Sequence, residues 1–279
     1  RLSENQNNKV AVFEAGGSSD IWKVKMPLAL LYTMHDPKYN WKYYSEPEPH
    51  LNNRRLFCPR GKMIGGCSAH NGMVFVRGNR NDYERWENFG LKSWSYEKVL
   101  PYFKKIETWS GGENQYRGSL GPLPVNQSKN DNPLFKAFIN SASEAGHTVN
   151  PDMNGEEQEG FGMFDTTIHE GQRASATKYY LNPAKKRKNL NIFSNSFVEK
   201  IIFEGKKAIG IEVKIKNKVE KVYAEKEVIL SGGSINSPQL LMLSGVGNSD
   251  HLREKGIDVV SDIKGVGKNL QDHLETYIM

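Results

Sequence analysis

The sequence predicts a mixed α/β chain containing a Rossmann-like unit, and three observations carry that prediction. Lys9 to Gly17 is a short apolar run closed by Glu14 and paired glycines, the pattern of a buried parallel strand entering a tight turn. Between Leu190 and Leu230 apolar residues alternate with polar ones and break around Gly205 and Asn217, the pattern of an antiparallel meander. Segments 80–107 and 132–145 repeat apolar residues at helical spacing instead.

In chain order, the first strand ends at Glu14. In a dinucleotide-binding unit the acidic residue closing the second strand holds a ribose hydroxyl, and a Gly-x-Gly-x-x-Gly turn lies about twenty residues before it. That turn would precede Arg1, and neither Gly245-Val246-Gly247 nor Gly265-Val266-Gly267 has a preceding strand and a third glycine. The expectation is therefore a fragment whose phosphate-binding turn lies outside the chain. On residue type alone Glu14 reads equally as a solvated strand end.

Residues 36–60 mix Pro, Trp, Tyr and His without a period, which predicts an extended loop or lid. Gly61, Gly65, Gly66 and Gly72 then cluster around Ser68, His70 and Asn71. Such glycines let main-chain N–H groups approach a ligand without Cβ interference, and short polar side chains add hydrogen-bonding arms. The same composition also suits an ordinary glycine turn.

Tyr83, Trp86, Leu91, Trp94, Val99, Leu100, Tyr102 and Phe103 are expected to anchor helices in a core, with Ser95 as an N-cap. Residues 110–132, rich in Gly, Asn, Ser and Pro, mark the exit from a first compact unit. Helix is expected from Asn132 to Ala145, and a short one from Arg173 to Leu181. The meander's last strand, Val228-Ile229-Leu230, is expected to lead through Ser231-Gly232-Gly233 into a helix from Ser237-Pro238 to Leu243. A strand, a glycine turn and a helix N-terminus with proline in its first turn would cradle a phosphate or other anion.

The 279 residues suffice for a substantial core and more than one domain. The net charge of +6 is spread thinly apart from Lys185-Lys186-Arg187-Lys188, which argues against nucleic acid as a partner. Cys58 and Cys67 make neither a disulfide framework nor a Cys-x-x-Cys motif, which fits a reducing compartment. No apolar run is long enough to cross a bilayer. No spacing of histidines and carboxylates points to a metal, and Gly66-Cys67-Ser68-Ala69-His70 lacks the closing glycine of a serine-hydrolase elbow.

These motifs resemble, over almost the whole chain, those of the glucose–methanol–choline (GMC) family of FAD-dependent alcohol oxidoreductases. Gly61 to Glu84 is similar to the family's first signature. It departs at Cys67, where Gly, Ser or Thr is usual, and at His70, where an aliphatic residue is usual. Gly233 to Gly247 is similar to the second signature without a departure. Asn71 to Gly78, Gln158 to Gly162, Arg173-Ala174-Ser175 and Asn269 to Glu275 are most similar to segments of choline dehydrogenases.

The resemblance implies FAD as cofactor. Glu14 would hold the adenosine ribose, Val198 would touch the adenine, and Met63, Gly65, Gly66, Asn71, Gly72, Met73 and Val74 would line the pyrophosphate and isoalloxazine. Gly232 and Gly233 join them on the anion-cradle reading. His70 is implied either to be bonded covalently to the flavin 8α-methyl, as in the similar segment of choline oxidases, or to pack against a noncovalent ring. Glu275 matches a glutamate that meets the trimethylammonium head of choline, where point-charge attraction suits a cation with no hydrogen to donate. The alternative for Glu275 is a surface glutamate.

The implied activity is oxidation of a primary alcohol by hydride transfer to flavin, choline to betaine aldehyde foremost. Another alcohol, or a noncatalytic flavin-binding protein, are the alternatives. Oxygen or a quinone would accept the electrons. The family's proton-abstracting histidine pair is expected beyond Met279, since none of His35, His50, His147, His169, His251 and His273 sits in its motif. The implied division is a FAD-binding part at 1–128 and 167–274, with substrate-domain segments at 129–166 and 275–279. A homodimer and peripheral membrane association are further expectations, in a bacterial cytoplasm or at its inner-membrane face, or in a mitochondrion.

Overall fold

The computed structural model describes residues 1–129, 131–273 and 275–276. It divides into two compact units, one formed by Arg1–Ala11 and Gly17–Asn191, the other by Val12–Gly16 and Ile192–Met279. This division groups residues 129–166 with the segments on either side of them.

The elements that matter for the site are, in order, β1 (Val10–Phe13), β2 (Val74–Phe75), α1 (Arg80–Asn88), α2 (Tyr96–Ile106), β3 (Glu107–Trp109), β4 (Leu123–Gln127), α3 (Pro133–Glu144), β5 (Asp165–Thr166), β6 (Leu190–Phe193), β7 (Ser196–Glu204), β8 (Lys207–Ile215), β9 (Lys218–Tyr223), α4 (Gly233–Leu243) and α5 (Ser249–Glu254).

In the first unit β2, β5, β4 and β3 form one sheet in that order, antiparallel except for the parallel pair β3 and β4. A small core of Val24, Tyr39, Met63 and Ala69, with Ile21 against it, backs the glycine segment. Asn79 caps α1 by accepting the Asn81 N–H, and Asn132 caps α3 by accepting the Leu134 N–H, with Pro133 opening that helix. Ser95 stands at the start of α2 but its side chain makes no capping bond. Of the expected anchors Val99 is buried and Tyr83, Leu100 and Phe103 are partly buried, whereas Trp86, Leu91, Trp94 and Tyr102 are exposed, so the aromatic ones line the surface more than the core. The expected lid at 36–60 is a paired arm: Tyr43–Tyr44 runs antiparallel to Phe57–Cys58, and left-handed Asn52 and Asn53 turn the chain between them.

The second unit is built on the meander. β8 pairs antiparallel with β7, from Ser196↔Ile215 to Glu204↔Lys207, and with β9, from Gly210↔Tyr223 to Ile215↔Lys218. Ile201 and Val213 are buried on one face, and the Ser244 hydroxyl accepts the Ile201 N–H at 2.8 Å where α4 ends.

Four sequence expectations need correction. Leu190 to Phe193 does not belong to the meander; it pairs with β1, the hydrogen bonds advancing together along both strands. β1 is parallel as expected but only partly buried, because β6 is its sole sheet partner among the described residues. Val228-Ile229-Leu230 is not a strand: no described strand lies alongside it, and Ile229 is exposed. The helix expected from Arg173 starts later, since Gln172–Arg173 is still extended and a wide π-type turn at Thr177–Leu181 passes straight into Asn182–Ala184.

Candidate functional site

The glycine segment folds back on itself. Gly66 N–H bonds to Met63 O at 2.8 Å, and the chain then makes a 3-10 turn over Gly66–Ala69 that His70 N–H and Asn71 N–H close onto Cys67 O. Gly65 has φ +96°, and a Cβ there would collide with the Thr177 hydroxyl, which donates to Ile64 O at 2.9 Å. Ser68 ties the other side, donating to Gly65 O at 2.6 Å and accepting the Ala176 N–H. Gly66, at φ +52°, and Gly72 differ: a Cβ on either would meet nothing within 4 Å. The loop is therefore locked from behind and open in front, which suits backbone contact with a planar or phosphate-bearing ligand.

The predicted ligand-facing residues divide accordingly. Asn71, Gly72 and Val74 are exposed, while Met63 and Met73 are buried, so those methionines support the loop from the core and offer a ligand only main chain. Met73 holds φ +62°, fixed by its N–H bond to Asn71 Oδ1. His70 is 4% exposed and its Nδ1 has no hydrogen-bond partner. Burial, reinforced by the positive charges of Arg173 and Arg60, pushes the imidazole down to about 4, so it is neutral at pH 7.

In the second unit, Glu14 closes β1 with its Oε1 accepting the Gly16 N–H at 2.8 Å. Its backbone is pinned by Phe193 O and the Ser196 N–H, while Phe13 stacks on Phe193 at 4.9 Å. Val198 lies partly buried on β7 opposite Val213. The cradle expected at Gly232 and Gly233 is half realised. No strand leads into it, and α4 already begins at Gly233, which places Pro238 inside the helix rather than in its first turn. The helix start is exposed, with Gly233 at φ +90° and the Gly232 N–H bonded to the Ser237 hydroxyl. Glu275 is exposed and lies outside any helix or strand.

A family model for GMC oxidoreductases matches residues 10–275. The chain belongs to the GMC oxidoreductase family. An oxygen-dependent choline dehydrogenase of Sinorhizobium fredii (strain NBRC 101917 / NGR234) is 50% identical over 277 residues, covering 99% of this chain and 50% of that protein. Pyridoxine 4-oxidase from Mesorbium loti shares the fold with a TM-score of 0.92 at 31% identity, covering 98% of this GMC chain and 54% of the other. An FAD-dependent oxidoreductase from Chaetomium thermophilum gives 0.88 at 32% identity, covering 97% and 49%. The GMC chain spans about half the length of the curated relatives it matches.

The mixed α/β fold is thus that of the FAD-binding part of GMC oxidoreductases. FAD suits the residues present, because the loop offers an open glycine face beside a buried imidazole whose Nδ1 lacks a partner. Sequence reasoning missed what locks this loop. Thr177, Ser19, whose hydroxyl bonds to that of Thr177, and the Arg173 guanidinium are all distant in sequence, and no spacing rule links them to the glycines. Arg173 drew notice in the sequence as the start of a short helix and as part of a family-like tripeptide, not as a partner of the loop.

Proposed function

We propose that this chain is the FAD-holding part of a GMC enzyme that oxidises choline to betaine aldehyde. The observation carrying this reading is the 50% identity, across 99% of the chain, to a protein named an oxygen-dependent choline dehydrogenase. Bound FAD supplies a two-electron acceptor for hydride from the alcohol carbon. Gly65, Gly66, Asn71, Gly72 and Val74 would hold it with main chain and one amide, Met63 and Met73 would brace that loop, and Glu14 would hold the ribose. Val198 would meet the adenine, and Gly232 and Gly233 would face its phosphates. His70, buried and neutral, would either bond the flavin covalently or pack against a noncovalent ring; flavin absorbance that stays with acid-precipitated protein, or leaves it, decides between the two. Glu275 would attract the trimethylammonium head.

The experiment uses the protein expressed from its complete gene and loaded with FAD. It is mixed with choline without oxygen while the visible absorbance of the oxidised flavin is followed. Bleaching by choline and not by uncharged alcohols supports the reading. Bleaching by another alcohol alone keeps the family and discards choline, and no bleaching at all favours a noncatalytic flavin protein. Oxygen is the proposed acceptor, supported by the name of the S. fredii relative, and admitted air should restore the colour. The proposal keeps residues 129–166 as a substrate-domain segment, and a cytoplasmic or inner-membrane site, or a mitochondrial one.

A further inference from the structure

Arg173 ends a short hairpin and reaches the Asn71 end of the glycine loop. Its Nη1 donates to Asn71 O at 2.7 Å and to Asn71 Oδ1 at 2.8 Å, and its Nε donates to Val24 O at 3.1 Å. The residue is 2% exposed, yet Nη2 has no hydrogen-bond partner. No carboxylate pairs with it among the described residues, and burial alone lowers its proton affinity, to about 10. His70 and Arg60 share this corner, and neither carries a negative charge that could offset the guanidinium.

A buried guanidinium with no counter-charge is costly, and a neutral side chain would fill the space without that cost. Its neighbours make it a source of positive potential at the loop, where low polarity screens little. Hydride transfer delivers two electrons and one proton from the alcohol carbon and leaves the acceptor one unit more negative, while the hydroxyl proton goes to a base or solvent.

We propose that Arg173 is a positioning residue that fixes Asn71 and maintains an uncompensated positive charge at the glycine loop, making a flavin bound there easier to reduce. This inference rests on the FAD reading of the loop. Its test is the midpoint potential of the FAD-loaded protein, by dye-equilibrated titration, in wild type, Arg173→Met and Arg173→Lys. In Arg173→Met, reduced FAD should lose at least tenfold in affinity relative to oxidised FAD, a fall of about 30 mV for a two-electron couple.

The lysine variant decides the matter where the methionine variant holds no flavin. Its potential should track wild type at pH 6 and drop below it as pH rises, because a buried ammonium gives up its proton well before a guanidinium does. His70, already neutral at pH 6, adds nothing to that divergence. Unchanged potentials in the FAD-loaded variants overturn the inference, as does a lysine curve displaced equally at every pH. A wild-type protein that binds no FAD overturns the reading of the loop instead.

Discussion

Arg117 and Arg173 are buried arginines of the same compact unit, with opposite surroundings. Arg117 is fully enclosed, donating from Nε and Nη2 to the two oxygens of Glu107, pairing through Nη1 with Asp152 and Asp165, and lying 4.2 Å over the Trp109 ring. Arg77 joins the cluster through Glu107 Oε1 at 2.7 Å, so two guanidinium groups face three carboxylates. Arg173 has backbone and amide acceptors only. The first arrangement holds β3 to the loops beside it. The second leaves a charge unspent at the open loop, and that difference separates a structural ion cluster from a residue placed for chemistry.

The largest expected effect comes from breaking the paired cluster. Glu107→Gln should cost roughly 3–5 kcal/mol, because it takes the paired carboxylate from buried Arg77 and weakens the two-pronged contact to Arg117, which keeps Asp152 and Asp165. Arg173→Met should cost less than about 1.5 kcal/mol, since lost hydrogen bonds are offset by removal of an unpaired buried charge. Urea midpoints of the two variants, at equal slope, check the contrast. Equal losses would mean that Arg173 is as structural as Arg117.

His70 extends the comparison to pH. Its folded value of about 4 lies below its ordinary 6.5, so between these limits the unfolded chain binds more protons. Stability should be level above pH 6.5 and fall as pH drops through 4, by on the order of 3 kcal/mol. Denaturation midpoints of wild type and His70→Asn across that window should converge on the acid side, and parallel curves would remove the imidazole as the cause.

How much of this was legible in sequence depends on how local each cause is. The meander strands, the helix expected from Asn132 and the glycine loop were readable because alternation, helical spacing and glycine clustering act within a few residues, whereas the one cap expected, Ser95, makes no capping bond. Leu190 to Phe193 was misplaced because its pairing with β1 joins segments nearly two hundred positions apart in sequence, and Val228 to Leu230 failed because apolar β-branched residues make no strand without a partner. The ion cluster was invisible for the same reason, since Arg77, Glu107, Arg117, Asp152 and Asp165 carry no common spacing. Within the loop, sequence could name the glycines but not tell locked from open ones.

That distinction gives the next prediction. Gly65→Ala should lose about 1–3 kcal/mol, because left-handed backbone and the Thr177 hydroxyl both oppose a Cβ. Gly66→Ala should cost about 1 kcal/mol in stability, as the space is open, while weakening FAD binding through the new methyl on the exposed face. Urea midpoints alongside flavin-fluorescence titrations separate the two. Equal FAD affinities for Gly66→Ala and wild type would place the cofactor elsewhere.

The smallest change gives Arg173 what Arg117 has. Asn71→Asp puts a carboxylate where an amide oxygen already lies 2.8 Å from Nη1, and the new group can still accept the Met73 N–H. A hydrogen bond to a charged acceptor is worth about 1 kcal/mol more than one to a neutral amide, and exposure of residue 71 trims that gain. The variant should therefore be more stable than wild type by up to about 1 kcal/mol at pH 7, losing the gain as pH falls through the lowered carboxyl value. The same carboxylate cancels the field of Arg173, so the flavin potential should drop as it does in Arg173→Met. More stability with less oxidising power would show that the unpaired charge is kept for what it does to the loop. A potential that holds while stability rises would assign Arg173 to packing alone.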